Sequence, residues 1–168
     1  MTGRPETGEY APYAADDIAL VPGDDAIEAL RACARDTVAL FGTFPEERIA
    51  YAEGKWTLKE VLGHLIDDER IFAYRALCVA RADPRPLAGF DEKEYVAATT
   101  FESRTFAQLL REYDLVREST VAFFASLTPE EWLRRGTVNG YQASVRGLAF
   151  HIAGHELHHL RVVRERYL

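Results

Sequence analysis

His151-Ile152-Ala153-Gly154-His155-Glu156-Leu157-His158-His159-Leu160 holds four of the five histidines of the chain. The fifth, His64, lies about 90 positions upstream in another apolar-periodic segment. A neutral imidazole offers a nitrogen lone pair, which makes histidine the commonest protein metal ligand near neutral pH. Residues four apart on an α-helix are separated by about 6 Å along the axis and about 40° around it. His155 and His159 stand in that relation, and so do His151 and His155. His158, three residues from His155, is a third partner with a different aim. Spacing alone therefore leaves the pair open, and it also leaves open a histidine-rich helix end that holds no metal. If His64 joins a pair from this stretch, two long helices must face each other, which is the geometry of a helical bundle.

Composition narrows the class. With 168 residues, 48% of them hydrophobic, the chain is long enough to bury a core without staples, and residues 1–168 read as one domain. A net charge of −7 argues against a nucleic-acid-binding surface. Cys33 and Cys78 each fall in an apolar helical pattern and read as buried free thiols. Met1 to Glu6 has neither a basic nor an apolar leader character, and no run of 18 apolar residues spans a membrane. A cytoplasmic location is the default expectation.

In chain order, residues 1–23 carry Pro5, Pro12 and Pro22 with Gly3, Gly8 and Gly23, which predicts an extended arm. Its Tyr10, Tyr13, Ile18, Leu20 and Val21 are too apolar for a free tail, so the arm should pack on the body or on a partner subunit. Asp24 and Asp25 suit a helix N-terminus. Ile27, Leu30, Ala34, Val38 and Phe41 continue that helix at helical spacing, and Gly42 stops it. Thr57-Leu58-Lys59-Glu60 is a capping box. The helix it opens runs through His64, Asp67, Asp68 and Glu69 to the Asp83-Pro84 break. Asp68, one turn beyond His64, is placed to orient a ligand imidazole, with a solvated acid as the alternative. Phe90 to Tyr95 suggests a short helix. A third long helix is expected from about Ser103 to Leu127, and Thr128-Pro129 starts a short one. Asn139-Gly140 signals a hairpin. Ser144 then caps the last helix, which carries the histidines. Four long helices predict an all-α four-helix bundle.

The segment from Trp56 to Arg70 resembles the second-helix motif of the DinB/YfiT-like superfamily, and Gly154-His155-Glu156-Leu157-His158-His159-Leu160 resembles its C-terminal H-x-x-H-H motif. The arm at Gly8 to Tyr13 is similar to one branch of the group. The resemblance follows the order of elements along essentially the whole chain. It implies an up-down-down-up bundle, often a homodimer, with one divalent metal held by His64, His155 and His159. His151 then falls one turn outside the ligand set, and His158 is the motif's extra histidine.

The resemblance implies a metal site more firmly than a reaction. Relatives include transferases and isomerases that use low-molecular-weight thiols such as bacillithiol or mycothiol, and others labelled metal-dependent hydrolases. Three neutral histidines leave open coordination positions, as in catalytic sites. Zinc or nickel suits them, and iron or manganese is a further option. The functional expectation is a metal-dependent enzyme acting on a small molecule, S-transferase-like or hydrolase-like. The competing expectation is a non-catalytic, stress-related dimer whose metal is structural. Glu69 and Glu156 are the nearby acids that could serve as general base; Glu156 points about 100° away from His155 and is left out. Arg146, Arg161 and Arg164 flank the site segment and read as solvated helix cations, with contact to an anionic thiol cofactor as the alternative.

Overall fold

Sheltering the apolar stripes found in the sequence requires the long helices to pack face to face, and they do so in the computed structural model, which describes residues 3–168. Residues 1 and 2, the start of the expected arm, lie outside the described residues. The elements are α1 (Ala15–Leu20), α2 (Ala26–Phe41), α3 (Leu58–Ala80), α4 (Glu92–Ala97), α5 (Phe106–Ala125), α6 (Pro129–Leu133), the strands β1 (Arg135–Val138) and β2 (Tyr141–Ser144), and α7 (Val145–Arg166).

The expected caps form. Asp25 accepts from the amides of Ile27 and Glu28 to start α2. Thr57 and Glu60 close the capping box of α3. Ser144 accepts from the Gly147 amide to start α7. The hairpin turns through Asn139 and Gly140, both at positive φ (50° and 79°), as a tight two-residue turn between twisted strands requires. One boundary moves: α5 begins at Phe106, capped by Thr105 and Gln108, because Phe101–Ser103 winds into a 3-10 turn.

The direction of the helices follows from their contacts. Antiparallel α2 and α5 are linked by Arg117 Nη1 donating to Leu30 O at 2.6 Å near one end and by Phe41 against Phe106 near the other. Antiparallel α3 and α7 pair Phe72 with His151 and Asp68 with His155. Cys33 meets Ala153 and Thr37 meets Glu156, so α2 and α7 run parallel. Lys59 lies over Phe106 and Glu69 binds Arg117, so α3 and α5 also run parallel. The result is an up-down-down-up four-helix bundle.

Two apolar clusters fill it. One centres on Leu30, Phe72, Phe124, Trp132 and Phe150, the other on Phe41, Leu62, Phe106, Leu109 and Leu160. Between them lies a charged layer. Arg117, 4% exposed, donates to both oxygens of Glu69 (2.9 and 2.8 Å) and also binds Glu156. Tyr113 and Thr37 donate to Glu156 as well. Burial pushes the Glu69 carboxyl up, against the pull of the Arg117 guanidinium.

The N-terminal segment is not wholly extended: it forms a 3-10 turn at Pro12–Ala14 and then α1. It lies along α7, where two glycines admit its backbone. A Cβ on Gly147 would meet Glu9 O at 2.1 Å, and one on Gly154 would meet Asp17 O at 2.3 Å. Glu9 fixes the contact by accepting from Ser144 Oγ (2.7 Å) and from Arg146 Nε (2.6 Å). Arg146 is therefore an ion-pair partner and not the solvated cation its position suggested; its side chain is only 14% exposed.

Candidate metal centre

The capping box and apolar face of α3 place His64 two turns into the helix, 2% exposed and turned toward α7. His155 and His159 come from one face of α7. Nε2 of His155 lies 3.2 Å from Nε2 of His64 and 3.1 Å from Nε2 of His159. All three donor atoms lie within 4.8 Å of one another. Two imidazole nitrogens each about 2.1 Å from one ion lie about 3.0 Å apart at a right angle and about 3.4 Å apart at the tetrahedral angle. The two short nitrogen separations fall in that interval. The donor set therefore fits a divalent cation.

The surroundings keep two of these rings, His64 and His159, in the neutral ligand form. Burial, aided by repulsion from His155, lowers the His64 pKa to about 4. Burial likewise carries His159 well below the usual histidine value. Both are neutral at pH 7 and present lone pairs. His155 differs. Burial opposes its charge, but the Asp68 carboxylate outweighs that and raises its pKa. Asp68 Oδ2 lies 3.2 Å from His155 Nδ1, which holds a proton on Nδ1, and the neutral form of the ring then turns its Nε2 lone pair to the other two histidines. Trp56, just before the capping box, packs against His64 (ring centroids 4.9 Å apart) and stacks on His159 (6.4 Å).

The other two histidines fall outside this set. His151 stacks on Phe72 one turn away, with ring centroids 4.3 Å apart. His158 turns its Nδ1 to Asp17 at 3.3 Å. Beside the cluster opens a cavity of about 380 Å³ whose lining includes Tyr13, Phe72, Arg75, Phe90, His151 and His155.

Residues 29–163 match the family model of the DinB superfamily. The chain belongs to the DinB superfamily. A solved structure with this DinB-like bundle is YfiT from Bacillus subtilis, described as a probable metal-dependent hydrolase with an unusual four-helix bundle topology. It matches with a TM-score of 0.75 and 16% identity over 83% of this chain and 82% of that one. At that identity the likeness shows the fold. No curated protein sequence matches the chain.

Within this DinB-like frame several site features escaped the sequence reading. The nearby acids are not exposed: Asp68, Glu69 and Glu156 are 5%, 2% and 2% exposed. Glu69 and Glu156 are both committed to Arg117, which leaves neither free as a general base. Arg75 and Arg117 gave no sequence signal beyond being charged residues within apolar helical stretches. Tyr13 and Phe90 reach the cavity from the N-terminal segment and from the connector after α3. That connector is held to the hairpin by Leu87 N to Thr137 O (2.9 Å) and Asn139 N to Leu87 O (2.8 Å).

Proposed function

We propose that this DinB-superfamily protein is a metal-dependent enzyme in which His64, His155 and His159 hold one divalent ion, zinc or nickel before iron or manganese. It would transfer a group of a small-molecule substrate to water or to a low-molecular-weight thiol. The observation that carries this reading is the convergence of three Nε2 atoms beside a cavity of about 380 Å³. A purely structural site is closed by a fourth protein ligand, whereas a catalytic one keeps a position for substrate. An ion held by these three histidines would supply Lewis acidity, favouring a nucleophile near neutral pH and a polarised carbonyl.

The protein's own residues prepare that chemistry. Asp68 fixes the tautomer and tilt of His155. Trp56 restrains His64 and His159. Tyr13, Phe72 and Phe90 give the cavity aromatic walls. The description of YfiT as a metal-dependent hydrolase agrees with the hydrolytic form of this proposal. The same reading includes a homodimer; exposed Tyr74 and Leu77 on α3 and Leu115 on α5 provide apolar surface for it.

The test is elemental analysis of the purified protein beside His155→Ala, followed by ester-hydrolysis and thiol-transfer assays. About one metal per chain is expected, lost in the variant together with turnover. Absence of metal after incubation with zinc and with nickel would overturn the proposal.

A further inference from the structure

Two guanidinium groups, Arg75 and Arg117, are buried in the fold, and Arg146 is half-buried beside the N-terminal segment. Arg117 binds Glu69 and Glu156, and Arg146 binds Glu9. Arg75 is 3% exposed and, among the described residues, has no carboxylate within 4.0 Å. Its one hydrogen bond among the described residues runs from Nη2 to Ala88 O at 2.7 Å. The rest of the group rests on aromatic faces, with Cζ 4.7 Å from the centroid of Phe72 and 5.5 Å from that of Phe90. Burial works against its charge and lowers its pKa. A guanidinium has five N–H donors in a planar fork, so one carbonyl leaves most of that capacity unused.

Arg75 lines the same cavity as His155 and His159. It lies eleven residues beyond His64 on α3, which puts the two on nearly the same face with about 16 Å of axis between them. Helical side chains lean toward the N-terminus, and Arg75 leans back over Phe72. The gap to the histidine cluster shortens to roughly 10 Å. His151 stacks on the same Phe72 ring and faces the cavity between the two ends.

Resting on the metal-enzyme reading above, we propose that Arg75 is the substrate-anchoring residue of this cavity. It would grip a single carboxylate at the far end of an elongated small molecule whose apolar middle lies along Phe72 and Phe90. The other end reaches the three histidines. A carboxylate matches the guanidinium fork, and aromatic walls suit a short aryl or alkyl chain. A monoanion is favoured over a phosphate monoester. Asp17, Asp68 and Glu92 also line the cavity, and they repel a second negative charge.

The test is calorimetric titration of 3-phenylpropanoate, its uncharged amide 3-phenylpropanamide, and phenyl phosphate. Wild type, Arg75→Gln and Arg75→Lys are compared, each in metal-free and zinc-loaded form, with folding checked by circular dichroism. The metal-free arm is decisive, because the polypeptide alone makes this anchor. A charge-assisted pair predicts about tenfold tighter binding of the acid than of the amide in metal-free wild type. That preference should vanish in Arg75→Gln and fall partway in Arg75→Lys, which keeps the charge and loses the fork. Equal binding of acid and amide, an undiminished preference in a folded Arg75→Gln, or no detectable binding of the acid at about 20 mM would overturn the anchor. Tighter binding of phenyl phosphate than of the acid would overturn the carboxylate assignment. If carboxylate selectivity holds while the protein takes up no metal, the metal-enzyme reading fails and the anchor stands.

Discussion

Asp68 Oδ2 stands 3.2 Å from His155 Nδ1, directly behind the imidazole whose Nε2 meets His64 and His159. One carboxylate thereby fixes the ring at the centre of the histidine cluster. Asp68→Ala should leave the bundle folded and weaken zinc affinity about 10- to 100-fold, measured by competition with a chromophoric chelator. An unchanged affinity would mean that the contact does not aim the imidazole.

His151 shares the four-residue spacing with His155 and stacks on both Phe72 and His155, yet it is not one of the three histidines whose donor atoms converge. His151→Ala should therefore keep the zinc stoichiometry of the wild type. His159→Ala should lose it. Metal analysis of the two variants side by side separates the alternatives that spacing leaves open.

Arg117 is the one cation shared by Glu69 and Glu156 in the layer between the two apolar clusters. Arg117→Met would leave two buried carboxylates without a cation, at a cost of about 3–5 kcal/mol. For a chain of this size that is a fall in Tm of roughly 10 °C, read by thermal denaturation. A change within a degree or two would show that the layer relaxes or hydrates at little cost.

Glu9 joins the N-terminal segment to β2 and α7. Hydrogen bonding from Arg146 is the main cause that holds its carboxyl at about 2, against burial and with help from Ser144 and Arg135. The folded pKa lies below the unfolded value of 4.5. The stabilisation is therefore fully present above about pH 4.5 and is lost as pH falls toward 2. It amounts to on the order of 3 kcal/mol. Glu9→Gln should lower Tm at pH 7 and flatten its dependence on pH between 4.5 and 2. A variant as acid-sensitive as the wild type in that window would remove Glu9 as the cause.

Gly154 lets the backbone of α1 pass over α7, with Asp17 O 2.3 Å from where a Cβ would sit. Because the obstacle is backbone, Gly154→Ala must displace α1, at a cost of about 1–3 kcal/mol. Asp17 and its contact with His158 would move too. Increased protease cleavage near residues 8–23 should report the loosened segment, and wild-type resistance would count against this packing.

The sequence by itself determined the helices and much of the histidine site. Capping residues, apolar periodicity and the Asn139-Gly140 turn act over a few neighbouring residues, so the starts of α2, α3, α6 and α7 and the hairpin were legible from local chemistry. The resemblance carried by residues 56–70 and 154–160 then selected His64, His155 and His159 from five histidines. Only the tertiary structure decided what stands around them. Whether Asp68 faces solvent or His155 depends on α7 packing antiparallel to α3. Arg146 is paired because the N-terminal segment folds back across 137 positions to bring Glu9 to it. Arg117 gains its two carboxylates, and Arg75 has none within 4.0 Å among the described residues, through helix neighbours remote in sequence. An ionisable side chain reads alike in sequence whether paired, solvated or poised for a ligand; burial and partners distinguish these states, and both are set by the assembly of the helices.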